Sequence, residues 1–122
     1  MDKIDNIIKR LSNIADTFCI TVEFNSPNFR EDELNHGASC DNSIWLSKFD
    51  DAEILAIAFL HEVGHILFNR VFYKRRYFFS EITHEGAAWE IAFMLASDYM
   101  PELDAYNNNK LRNYAHKCLN SY

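Results

Sequence analysis

From Ile54 to Phe68 the chain is almost wholly apolar and free of proline, and its polar interruptions are His61, Glu62 and His65. Wound into a helix, such a run is apolar on most sides, so it belongs at the centre of a fold rather than on its surface. Asp50, three residues before Glu53, offers a start related to the capping box, and no breaker follows until Asn69. The remaining chain must therefore build a shell around one buried helix.

The flanking segments suit that task. Ile4, Ile7, Ile8, Leu11, Ile14 and Ala15 recur at helical spacing behind Asp2 as a cap, which predicts an amphipathic first helix. Thr17 to Phe24 is rich in β-branched and aromatic residues and reads as a strand, ended by Asn25-Ser26-Pro27-Asn28. Phe29 to Asn42 reads as an irregular polar stretch with a turn at Gly37. Ser43 to Lys48 alternates and reads as another strand, so two or three short strands precede the buried helix. Val71 to Phe79 is an aromatic connection, and a third helix is expected from Ser80 or Glu81 to Tyr99, stopped by Met100-Pro101. A last helix is expected between Pro101 and Leu119, with a break near Asn107-Asn108-Asn109. The 122 residues suit a single domain, 1–122, and 48% hydrophobic content supports a real core. Only three Gly and two Pro argue against a barrel or sandwich of many short strands.

Composition also narrows function. A net charge of −6 does not favour direct nucleic-acid binding, where Lys and Arg supply most of the affinity. The basic cluster Arg70, Lys74, Arg75 and Arg76 reads as a helix end and the loop after it. Cys19, Cys40 and Cys118 form no disulfide framework, and MDKIDNIIKR has no apolar secretory core, which points to the cytoplasm. Ile54 to Leu60, the longest apolar stretch, is too short to span a bilayer, so no membrane role is expected.

The chemistry lies in His61-Glu62-Val63-Gly64-His65. Two His four residues apart stand on one helix face about one turn apart, where both imidazoles can share one zinc ion. Zinc lowers the pKa of a bound water, and Glu62 can take that proton as general base without filling a coordination position. A catalytic zinc normally takes a third protein ligand. The candidates are Glu81, His84, Glu85 and Glu90. Glu85 is preferred because it stands near the helix start with small Gly86, Ala87 and Ala88 after it; Val63 and Gly64 likewise permit close approach. His84, His36, Tyr77 and Tyr99 are candidate donors to an oxyanion, and none is preferred. The plain alternative is a buried histidine pair with ordinary hydrogen-bond partners and no metal.

The order of helix, strands, Ile44-Trp45-Leu46-Ser47 and an apolar run into His61-Glu62-Val63-Gly64-His65-Ile66-Leu67 resembles the ImmA/IrrE-type metallopeptidases over about residues 40 to 101. Met100-Pro101 matches the Met-Pro ending of that family's ligand helix. Matching Ala88-Trp89 to the family's Ala-Asn or Ala-Trp pair puts Ala87 where a Glu usually stands. Matching Glu85-Gly86-Ala87-Ala88 to the Glu-Gly-x-Ala segment of other gluzincins supplies a ligand, with nineteen residues between His65 and Glu85. The resemblance implies a small α+β, zincin-like metallopeptidase domain: N-terminal helix, short two- or three-stranded sheet, HExxH helix and ligand helix. It further implies a Zn2+-dependent endopeptidase (His61, His65 and Glu85 as ligands, Glu62 catalytic) acting on a protein substrate such as a mobile-element transcriptional repressor. The alternative is a module that keeps the metal and binds a repressor or toxin without cutting it.

Overall fold

The computed structural model describes residues 3–26, 37–72 and 80–120. It is a small α+β fold. Helix α1 (Lys3–Thr17) leads to strand β1 (Thr21–Glu23), then β2 (Gly37–Cys40), β3 (Ser43–Leu46), α2 (Ala52–Phe72), α3 (Glu81–Tyr99), two short 3-10 turns (Pro101–Leu103 and Ala105–Asn107), and α4 (Asn109–Leu119). The sheet order is β1-β3-β2, with β1 parallel to β3 and β2 antiparallel to it.

α2 is the central element, as its composition demands. Ala56, Ile57, Phe59, Leu60 and Val63 are completely buried, and α1, the sheet, α3 and α4 all pack on it. At 21 residues α2 is long and apolar enough to cross a membrane, more than Ile54–Leu60 alone suggested, and most of it is buried inside the protein. Asp51 rather than Asp50 caps it: Oδ1 accepts from the backbone N–H groups of Glu53 (2.9 Å) and Ile54 (3.0 Å), which otherwise lack intrahelical partners. The helix also runs past Asn69 to Phe72, because Asn lowers helix propensity without breaking a helix.

The strands depart most from expectation. Thr17 still belongs to α1, and β1 is confined to Thr21–Glu23. The helix ends where Cys19 takes a left-handed conformation (φ 57°) and Ile20 N–H bonds back to the Ala15 carbonyl at 2.8 Å, a helix-closing pattern that consumes the expected start of the strand. Gly37 is not a turn. It opens β2, which forms a hairpin with β3 through Asp41-Asn42, pairing Gly37 with Leu46 and Cys40 with Ser43. The expected strand Ser43 to Lys48 stops at Leu46.

The C-terminal half follows expectation closely. Ser80 caps α3 by accepting from Thr83 N–H, and Met100-Pro101 ends it. Asn108 caps α4 by accepting from Leu111 N–H at 3.3 Å, and its amide donates to Glu53 at 3.1 Å. Lys110 adds bonds to Asp51 (2.8 Å) and Glu53 (2.7 Å), tying α4 to the start of α2. Arg10 pairs with Glu102, tying α1 to the turn after α3. The Asp2 cap and the segments 27–36 and 73–79, with most of the aromatic connection and Lys74, Arg75 and Arg76, lie outside the described residues.

Candidate metal centre

α2 and α3 meet at one very close point. A Cβ placed on Gly64 would lie 2.3 Å from the Ala88 carbonyl oxygen. Only a residue without a side chain lets the backbones approach so far. The expectation of small residues at the helix crossing thus holds for Gly64 and Ala88. Gly86 has open space where its Cβ would stand and is not part of the crossing.

That approach carries Glu85 to the two histidines. Glu85 Oε2 lies 2.8 Å from His61 Nε2, and Oε1 lies 3.0 Å from His65 Nε2. One donor atom from each of the three residues lies within 4.8 Å of the others, so this group could hold a metal ion. Two imidazoles and a carboxylate suit a divalent transition metal. Glu62 stands beside the group without belonging to it, its Oε2 at 3.2 Å from His61 Nδ1. Gly37 borders that carboxylate: a Cβ there would make ordinary contact with Glu62 Oε2 at 3.5 Å and would crowd Leu46 Cδ2 at 2.9 Å.

These groups border a cleft of about 260 Å³, lined by Gly37, Ala38 and Ser39 of β2 and by His61, Glu62, His65, Asn69 and Glu85. Of the four candidate third ligands, Glu85 is the one brought to His61 and His65. Glu81 and Glu90 are exposed, and Glu90 faces a separate groove between α3 and α4. His84 packs edge-on against Phe68 at 4.8 Å. Among the candidate oxyanion donors, Tyr99 packs on Phe18 at 5.7 Å, and neither it nor His84 lines the cleft. His36 and Tyr77 lie outside the described residues. Asn69 and Ser39 are polar cleft residues that sequence reasoning missed. Asn69 was detectable, because it stands one turn beyond His65 on the same helix. Ser39 depends on a hairpin that the sequence barely signals. Cys40 is exposed and, like Cys19 and Cys118, forms no disulfide among the described residues and lies outside the group.

Burial opposes a charge on His61, but its bonds to Glu62 and Glu85 outweigh that and push its pKa up to about 9. Burial likewise opposes ionisation of Glu85, and the bonds from His61 and His65 override it, holding the carboxyl well below its usual range. The two shifts describe one interaction and count once. They carry a pH signature in protein freed of divalent cations by chelation. The His61 share of stability is complete below its unfolded value of 6.5 and disappears as pH rises through about 9. The Glu85 share is present above its unfolded value of 4.5 and declines as pH falls below it. The urea midpoint of chelated protein should therefore be higher at about pH 6 than at about pH 9.5, with His61→Ala flattening the difference.

Compared with family models, with curated proteins and with solved structures, the chain has no match. Its class is thus defined by the site itself: a buried helix and a crossing helix that together supply a two-histidine, one-carboxylate group with a second carboxylate alongside.

Proposed function

We propose that the protein is a zinc-dependent endopeptidase with a zincin-like fold, similar to the ImmA/IrrE-type metallopeptidases, that cuts a peptide bond in a protein partner. The observation that carries this is the convergence of Glu85 on both His61 and His65 with Glu62 beside them. His61, His65 and Glu85 would hold the ion, and the mixed nitrogen and oxygen donor set suits zinc. An ion held by these residues would supply Lewis acidity towards a scissile carbonyl and lower the pKa of an attacking water. Glu62 takes the proton of that water and returns it to the leaving amine. Asn69 and Ser39 offer hydrogen bonds to the substrate on the cleft wall.

The edge of β2 supports an extended peptide as the substrate class. Among the described residues β2 pairs with β3 alone, so its other edge is unpaired within them, and its first three residues line the cleft. An extended peptide can add to such an edge as a further strand and lie across the metal ligands. The resemblance makes a mobile-element repressor the partner to try first. Cysteines without a disulfide among the described residues suit a reducing compartment, and the cytoplasm is the proposed location.

Zinc analysis tests the metal assignment directly. Purified protein should carry one zinc per chain, and Glu85→Ala should weaken binding by at least about 100-fold, beyond the usual effect of losing an outer-shell partner. Unchanged zinc affinity in Glu85→Ala would remove Glu85 from the ligand set.

A further inference from the structure

Glu85 is not the only side chain that α3 sends towards α2. One turn later, the indole of Trp89 lies flat on the imidazole of His61, with ring centroids 4.0 Å apart and planes 7° from parallel. Trp89 is itself held in place. It is 4% exposed, with Tyr114 of α4 edge-on at 6.0 Å and Phe93 tilted at 6.5 Å. Its Nε1–H is buried and has no hydrogen-bond partner among the described residues. Burying an unpaired donor is costly. Hydrogen bonding therefore does not explain an aromatic ring at this position, whereas a flat face against His61 does.

An imidazole can rotate about its Cβ–Cγ bond, and only some orientations aim Nε2 at a shared ion. A flat wall parallel to the ring removes the others before anything binds, which is how a supporting shell preorganises a ligand. We infer that Trp89 is a positioning residue for the metal centre: its indole sets the plane of His61 so that Nε2 points into the group formed with His65 and Glu85. The Gly64–Ala88 crossing brings ligand and wall to α2 on one helix face, because Glu85 and Trp89 are four residues apart. The inference rests on the assignment of His61 as a metal ligand.

Cobalt(II) alone is the probe, read by its visible d–d absorption and by titration against a competing chelator. Trp89→Phe, which keeps a flat ring, should bind as the parent does and give the parent spectrum. Trp89→Leu should bind between about 10- and 100-fold more weakly with an altered spectrum, the range expected when an outer-shell support is lost. If Trp89→Leu loses its far-UV helicity, Trp89→Met, which fills more of the space without a flat face, takes its place. In a Trp45→Phe background Trp89 is the single indole, and one equivalent of cobalt should quench its emission. Equal affinity and spectra in the parent and the leucine or methionine variant would overturn the positioning role while leaving the metal centre standing. A parent that binds no cobalt would overturn both.

Discussion

Glu62→Gln is expected to bind zinc as the parent does and to cut its partner about 10²- to 10⁴-fold more slowly, the contribution of a positioned general base. The amide has nearly the same volume as the carboxylate, so the buried space beside Gly37 stays filled. Glu62 lies outside the three-residue ligand group, which leaves the metal donors intact. What is lost is a group able to accept the proton of the attacking water. The measurement pairs zinc content with the rate at which a repressor-type partner is cleaved by parent and variant. A glutamine variant that cuts at the parent rate would sink the proteolytic mechanism. A variant that releases intact partner at stoichiometric amounts, as the parent does, would leave a metal-bearing binding module as the better reading.

The centre of this fold was legible because its signals are local. The apolar run places α2, Met100-Pro101 ends α3, and the spacing of His61 and His65 needs nothing beyond helix geometry. The choice of Glu85 over Glu90 was less secure, although a signal existed. Glu85 heads the buried stripe Ala88, Trp89, Ala92, Leu95 and Ala96, whereas Glu90 falls on the opposite, exposed side; Glu81 shares the stripe's face but is exposed in the first turn. Reading that stripe would have separated Glu85 from Glu90 and drawn attention to Trp89. β2 was not legible in the same way. Gly37-Ala38-Ser39-Cys40 has neither clear alternation nor strong strand propensity and is held by its pairing to β3, a tertiary interaction that overrides local preference. The strand boundary after α1 failed because Cys19 closes the helix by a left-handed turn, which a non-glycine residue rarely advertises.

The helix crossing makes a sharper demand than the ligands do, and two glycines separate its causes. Gly64→Ala should destabilise the protein by about 3 kcal/mol, the upper end of ordinary overpacking, and lower Tm by roughly 10 °C. The new methyl group would meet the Ala88 carbonyl oxygen at 2.3 Å, and a backbone atom cannot swing aside as a side-chain tip can. The helices must part, and Glu85, three residues before Ala88 on α3, must withdraw from His61 and His65. Metal affinity should fall with stability even though every ligand remains. Gly86→Ala supplies the opposite case. It stands in the same helix as Ala88, and beyond its own helix turn no atom of the described residues lies within 4 Å of its added Cβ, so only helix propensity acts, stabilising by roughly 0.5–1 kcal/mol. Thermal melts of the two variants, with and without zinc, separate these effects. If Gly64→Ala melted with the parent and bound zinc as tightly, the close α2–α3 approach would not be what delivers Glu85 to the histidines.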